Sequence, residues 1–242
     1  MHTNTTFKLK NSRPDEDFIE WNEKMSRSFN QEFYYKHSNP LIIWVEKKRL
    51  NSISKLIKKE LQETKLIDPN ILEVGCGEGH VLEEISSKIK TKNLFGLDPL
   101  ENWLEKAKAK LGTKARLIKG FAEDLPFDNN SMDIVICSEV LEHVIDPQIV
   151  LNQLKRVIKP DGLIIVSIPN DRLIDTLKET LDIFKLYNKF FPKIQKDNQW
   201  HIHSFNLTLL KQFLPTDLKT QKIITIPSPL LPLRYTVSLR KQ

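Results

Sequence analysis

The sequence predicts an α/β protein with a doubly wound, Rossmann-like, mostly parallel sheet of seven strands. Three observations predict it. Between about residues 70 and 170, short apolar runs alternate with helical stretches, the order of right-handed βαβ units. The first apolar run ends in a glycine-rich turn, Gly75-Cys76-Gly77-Glu78-Gly79. The chain has 242 residues, enough for one sizeable α/β domain and too few for two ordinary ones.

Residues 1–20 read as a polar, loose arm. Residues 18–60 read as helical: Phe18, Trp21, Met25, Phe29 and Phe33 recur at three- and four-residue steps, and after Asn39-Pro40 a second helix carries Ile43, Trp44, Ile53, Leu56 and Ile57 between lysines. The period then changes. Ile71–Val74 is a strand, and a helix with Val81, Leu82, Ile85 and Ile89 follows its glycine turn. Asn93–Asp98 is the second strand, and Pro99 opens a helix with Leu104, Ala107 and Leu111 on one face. Ala115–Lys119 and Met132–Cys137 are the third and fourth strands. Residues 147–158 form a helix that stops at the Lys159–Gly162 turn. Leu163–Ile168 is almost wholly apolar, as a strand covered on both faces should be. Beyond it, 172–192 and Leu207–Leu214 read as helices, and Lys222–Ile226 and Tyr235–Leu239 as a closing antiparallel hairpin. The expected division is 1–40, an N-terminal arm and helix able to act as a substrate lid, and 41–242, the main domain, with a helical insertion at 172–205.

Composition narrows the function classes. Hydrophobic residues make up 40% and charged residues 28%, a globular and not a disordered balance. Lys+Arg exceed Asp+Glu by 37 to 31, a net charge of +6. This reads as a solvated lysine surface, which disfavours a nucleic-acid partner and leaves peripheral membrane contact open. Two cysteines, Cys76 and Cys137, are too few for a disulfide framework and fit a reducing, cytoplasmic compartment. The N-terminus lacks the apolar core of a secretory signal, and no run of about 18 apolar residues is present to span a membrane.

In a doubly wound sheet, ligands bind at the carboxyl ends of strands near the topological switch point. The spacing here is G-x-G-x-G, whereas dinucleotide-binding loops use G-x-G-x-x-G. Glu73 lies inside the first strand, where an unpaired carboxylate is costly and calls for a cationic or hydrogen-bonding partner. Asp98 ends the second strand. It can accept hydrogen bonds from ribose hydroxyls, or cap the helix that begins near Pro99.

Ile71–Gly79 resembles the first motif of class I S-adenosylmethionine (SAM)-dependent methyltransferases. Gly96-Leu97-Asp98, Gly120–Phe127, Ser138–Val144 and Leu154–Gly162 resemble their later motifs, in the same order and spacing. The resemblance, with its nearest likeness in the ubiquinone-biosynthesis O-methyltransferases, implies that Glu73, Gly75, Cys76, Gly77 and Gly79 cradle the methionine part of SAM. It implies that Asp98 and Pro99 meet the ribose, that Phe121, Ala122 and Glu123 meet adenine, and that Ser138 and Glu139 lie near the methionine end. Phe121 departs from relatives with a small or acidic residue there, which leaves Glu123 or Asp124 for the adenine amino group.

The implied activity is methyl transfer to a small molecule, apolar or anionic, most simply at a hydroxyl oxygen. An RNA 2′-O-methyltransferase and a non-catalytic binding module are the alternatives. His143 is the candidate base. Glu139, Glu142 and His143 have the spacing of one helix face. With His201, or failing that His203, they resemble sets that hold a divalent cation such as Mg2+ in the ubiquinone-biosynthesis and small-RNA methyltransferases. His143 and His201 are therefore the expected catalytic residues.

Overall fold

The computed structural model describes residues 7–10, 13–28, 31–183, 185 and 200–242. Among the described residues of the expected N-terminal arm there are regular elements. Strands β1 (Leu9–Lys10) and β2 (Arg13–Pro14) pair antiparallel, and helix α1 (Glu16–Ser28) follows directly. A π-helical turn (Phe33–His37) then leads to the long helix α2 (Pro40–Thr64). The break has a local cause. Asn39 accepts the Leu41 amide at 2.8 Å, and Pro40 holds the first helical position.

The main domain runs β3 (Ile71–Val74), α3 (His80–Lys88), β4 (Leu94–Asp98), α4 (Glu101–Leu111), β5 (Arg116–Lys119), β6 (Met132–Ser138), α5 (Pro147–Val157), β7 (Ile158–Pro169), α6 (Asp171–Ile183), α7 (Leu207–Phe213), β8 (Leu218–Ser228) and β9 (Leu231–Lys241). One seven-stranded sheet has the order β5-β4-β3-β6-β7-β9-β8. The first five pair in parallel, and β9 is antiparallel to both β7 and β8. The predicted fold class is therefore found, and the closing hairpin is longer than expected, with both strands 11 residues long. Helix α6 ends at Ile183. The rest of the expected 172–192 helix, with Phe184, Tyr187, Phe190 and Phe191, lies outside the described residues, as do Phe29, Lys189, Lys193 and Lys196.

The two faces of the sheet carry separate cores. Leu72, Val74, Val135 and Cys137 face α5 and α7 residues such as Leu154 and Leu210. Ile71, Ile134, Ile136 and Ile165 face Ile53 and Ile57 of α2 and Leu82 and Ile85 of α3. Side chains alternate along a strand, so Glu73 shares the face of Ile71 and points to the side of α2 and α3. Among the described residues, no helix is long and apolar enough to cross a membrane.

The chain leaves β3 outward through β4 and β5, then returns to place β6 on the other side of β3. This reversal opens a crevice at the carboxyl ends of β3 and β6, from which the Gly75–Gly79 turn and the Ser138–Val144 segment project.

Candidate functional site

A cavity of about 650 Å3 lies over that crevice. Four kinds of wall enclose it: the β3 and β4 strand ends, the loop after β6, α1 and α2 from the N-terminal region, and α6 with the start of β9. Among the described residues, five buried side-chain polar atoms have no hydrogen-bond partner: Ser38 Oγ, Glu73 Oε2, Trp103 Nε1, Glu123 Oε1 and Glu142 Oε2. All but Ser38 belong to residues that line this cavity. Buried polar atoms rarely go unpaired in a folded chain, so their convergence on one cavity marks a site shaped for a polar ligand.

The glycine loop is held from two sides. Asp98 accepts the amides of Gly77 at 2.8 Å and of Leu100 at 3.0 Å. The first helical residue of α4 is Glu101, and Asp98 does not cap that helix. Burial pushes the Asp98 carboxyl up to about 6, against the lowering effect of those two amides. From the other side, Gln31 Oε1 accepts the Glu78 amide at 3.1 Å, while Glu78 Oε2 accepts the Glu32 amide at 3.1 Å. Lys106 Nζ donates to Glu78 at 2.6 Å. Burial would raise the Glu78 carboxyl, but His80 and Lys106 outweigh it and hold it at about 2. A Cβ on Gly77, where φ is +51°, would stand 2.5 Å from the Gln31 amide, so glycine is what permits this close approach.

Glu73 has the cationic neighbour its position demands. Arg49, on α2, donates to Ser138 Oγ, to Tyr35 Oη and, at 3.0 Å, to Glu46. Burial raises the Glu73 carboxyl well above the usual range, and the Arg49 charge only partly offsets it. Burial also pushes Tyr35 up to about 12. Arg234, on β9, pairs with Glu46 at 2.8 Å and with Glu139. Burial alone would raise Glu46, yet Arg234 and Arg49 together leave it lowered.

Sequence reasoning does not reach Arg49, Glu46 or Arg234 as site residues; Tyr35, on the N-terminal helical stretch expected to enclose the acceptor, does line the cavity. One signal is available: Glu46 and Arg49 fall on the same α2 stripe as Ile42, Val45, Ile53, Leu56 and Ile57. Charges on an apolar helix face need partners.

At the adenine-side segment, Glu123 is buried with one oxygen unpaired, and burial raises its carboxyl. Asp124 is turned away to Arg13, 2.7 Å distant. Of the two residues considered for an amino group, Glu123 is the one facing the cavity. Gly75, Cys76, Pro99, Phe121, Ala122, Ser138 and Glu139 also line it, while Gly77 and Gly79 shape the loop behind it.

The acidic and histidine cluster differs from its expected form. Residues 139–146 are a non-helical turn after β6, and Glu139 has φ +57°. Its carboxylate is engaged by Arg234 and accepts Ser167 Oγ at 2.6 Å. Glu139 is thus set apart from a metal group. The ligand atoms of Glu142, His143 and His201 instead lie within 4.8 Å of one another. His143 Nδ1 is 3.1 Å from the Trp200 carbonyl oxygen, and His201 Nδ1 is 3.0 Å from Asp171. Both contacts place the proton on Nδ1 and leave Nε2 as a lone-pair donor atom. Burial pushes Glu142 up to about 8, and burial with the neighbouring His201 pushes His143 down to about 3. His203 reaches Val144 O at 3.0 Å and ties two loops together.

Fold and cavity define an open-sheet α/β protein with a ligand site at its switch point. A family model for a methyltransferase domain matches residues 72–166. A demethylmenaquinone methyltransferase of Staphylococcus aureus (strain MRSA252) is 30% identical over 144 residues, 53% of this chain and 57% of that protein. The chain thus spans little more than half the length of that relative. The plantazolicin methyltransferase BpumL, solved with a triazolic desmethylPZN analog and SAH, superposes with a TM-score of 0.65 at 18% identity, covering 94% of this chain and 98% of that one. A SAM-dependent methyltransferase from Aquifex aeolicus gives 0.59 at 15% identity, covering 87% and 98%. These two likenesses are of fold. Residues 72–166 thus match a methyltransferase domain, and the cofactor that the resemblance implies is SAM.

The residues present fit that cofactor. Glu73 and Arg49 offer a carboxyl and a cation side by side for an amino-acid end. Asp98 has lone pairs left for ribose hydroxyls, and Glu123 has an unpaired oxygen for an amino group.

Proposed function

We propose that this chain methylates an uncharged, largely apolar small molecule at a hydroxyl oxygen. SAM brings a methyl group already activated by its sulfonium. The protein's part is to align the acceptor, exclude water and receive a proton. In this reading Glu73 and Arg49 hold the amino-acid end of SAM, the glycine loop gives way to it, Asp98 holds the ribose, and Ala122 and Glu123 meet adenine. His143 takes the acceptor's proton at Nε2 as the oxygen gains the methyl group and becomes strongly acidic, a proton that an imidazole lowered to about 3 can still accept.

The convergence of four unpaired buried polar atoms on one cavity carries the reading. The acceptor's character is drawn from the outer walls. Leu41, Ile42, Val45, Ile174, Leu177 and Leu231 line them. Of the two arginines that face the cavity, Arg234 is already paired with Glu46 and Glu139 and Arg49 is taken up by Glu46 and by the proposed amino-acid end of SAM, which speaks against an anionic acceptor. The name of the Staphylococcus relative is compatible with an apolar acceptor. We read residues 1–40 as the lid over this acceptor, because Phe18, Asn22, Met25 and Tyr34 line the cavity.

A divalent metal at Glu142, His143 and His201 is a second reading, favoured by their mutual approach and by the unpaired Glu142 oxygen. The donor set fits: each histidine is oriented by an acceptor on its Nδ1, as metal-binding histidines usually are. Two imidazoles and one carboxylate suit Mn2+, Fe2+ or Zn2+ better than Mg2+. A bound metal would polarise the acceptor hydroxyl.

The test is calorimetric binding of SAM and of its demethylated product SAH. Mass spectrometry on apolar phenols and quinols then follows, in protein stripped of metal and in protein supplied with Mn2+. A methylated product supports the reading. A well-folded protein that binds neither SAM nor SAH sinks it and favours a binding module.

A further inference from the structure

Helix α1 reaches the catalytic loop through one buried hydrogen bond. Trp200 Nε1–H donates to Asn22 Oδ1 at 2.7 Å, and both residues are buried. The two are 178 positions apart in sequence. Trp200 then touches His143 twice: its carbonyl oxygen lies 3.1 Å from His143 Nδ1, and the two rings are 5.0 Å apart. A carbonyl only accepts, so the His143 proton sits on Nδ1. The indole also packs against Trp103 on α4, with centroids 5.2 Å apart. The loop that carries Trp200 is laced to the His143 loop by the Ile202 amide, which donates to Glu142 O at 2.8 Å.

We infer that Asn22 is a positioning residue: by holding the Trp200 indole it sets the carbonyl that fixes the His143 tautomer, so His143 presents Nε2 to the cavity only when α1 is seated. This rests on the reading of His143 as the group that meets the acceptor. Apolar packing against Trp103 constrains where the ring lies but permits rotation and sliding. The bond to Asn22 is directional, and it sets the angle of the indole and of the backbone behind it. Its acceptor comes from the segment proposed to close over the acceptor molecule. Closure and orientation of the proton acceptor would then be one event.

The experiment needs no acceptor molecule. The full chain is labelled with 15N-histidine, stripped of metal with EDTA and saturated with SAH. Nitrogen–proton correlation spectra then read the His143 tautomer. In wild type, Nδ1 is expected as the protonated nitrogen and Nε2 as the bare one. In Asn22→Leu both signals should move toward the average of the two tautomers, and in Asn22→Asp, which keeps an acceptor oxygen, they should return toward wild type. Trp200→Phe keeps an aromatic ring and the carbonyl, loses the N–H, and should reproduce the Leu result; it serves if Asn22→Leu does not fold. Turnover, once an acceptor is found, should fall about 10- to 100-fold, as for other outer partners of a site histidine. An unchanged His143 spectrum in folded variants overturns the inference. Loss of SAH binding by wild type would instead overturn the reading it rests on.

Discussion

Asp98 and Gly77 are joined by a hydrogen bond of 2.8 Å, and through it the end of β4 holds the glycine loop that follows β3. The same carboxylate accepts the Leu100 amide, so a single buried group organises both sides of the proposed ribose position.

The first prediction concerns pH. Burial raises the Asp98 carboxyl from 3.8 to about 6. If SAM needs the ionised form, its affinity should be constant above pH 7. It should be about tenfold weaker at pH 5, where about a tenth of the sites remain ionised. Stability runs the other way. The folded chain binds this proton more tightly than the unfolded one does. The contribution of Asp98 is therefore most favourable below about pH 4 and is lost as pH rises through 6, by about 3 kcal/mol in all. Calorimetric titrations with SAM at pH 5, 6 and 7.5 test this. A flat affinity profile would exclude the ionised carboxylate as a cofactor ligand.

Two glycines of positive φ separate strain from contact. Gly77 has φ +51° with the Gln31 amide against it; Gly112 has φ +57°, and a Cβ placed there would meet nothing within 4 Å. Alanine at either position should cost about 1–3 kcal/mol of backbone strain. Gly77→Ala should also displace Gln31 and weaken SAM binding at least tenfold, whereas Gly112→Ala should bind SAM as wild type does. Equal losses of SAM binding in both variants would mean that the contact with Gln31 is irrelevant.

Arg49→Met should unfold more of the chain than any surface arginine change. It leaves Glu46 with Arg234 as its remaining cation and removes a donor from Ser138 and Tyr35. Breaking a buried pair from one side typically costs about 3–5 kcal/mol. The double change Arg49→Met with Glu46→Gln should recover part of that loss, measured by urea denaturation, without restoring SAM binding. Full additivity of the two single changes would show that the charges are not coupled.

Strands β3 to β7 and their motifs are readable from sequence because apolar alternation, glycine turns and the spacing between them are local signals. The Arg49 contact with Ser138 spans 89 positions, and no local signal marks such a pairing. Glu139 departs from its expected place for the opposite reason. Its spacing to Glu142 and His143 is that of a helix face, but the left-handed backbone at Glu139 ends β6 in a turn and sends the carboxylate to Arg234. Asn22 sits on an α1 face shared with Phe18 and Met25, where a single polar residue among apolar ones reads as tolerated rather than used.

Glu142→Gln separates the two readings of the histidine cluster. Burial, with a smaller push from the Asp171 charge, raises the Glu142 carboxyl to about 8, so without metal it holds its proton at pH 7. Glutamine then resembles it in shape and charge, and the metal-free variant should match wild type in thermal midpoint at about pH 4 or below, where the unfolded carboxyl is protonated too. As pH rises from about 4.5 to 8 wild type should lose stability relative to the variant, because the folded pKa lies above the unfolded one and only the unfolded chain releases the proton in that range; above pH 8 the difference should level off. Mn2+ or Zn2+ should raise the wild-type midpoint, since a ligand that binds only the folded state stabilises it by mass action, and should leave the variant unmoved. If methyl transfer by wild type survives exhaustive chelation while Glu142→Gln stays active and His143→Ala does not, proton acceptance by His143 is sufficient and the metal reading falls. If chelation and Glu142→Gln both abolish transfer, and Mn2+ restores it to wild type alone, the three residues act as a metal site.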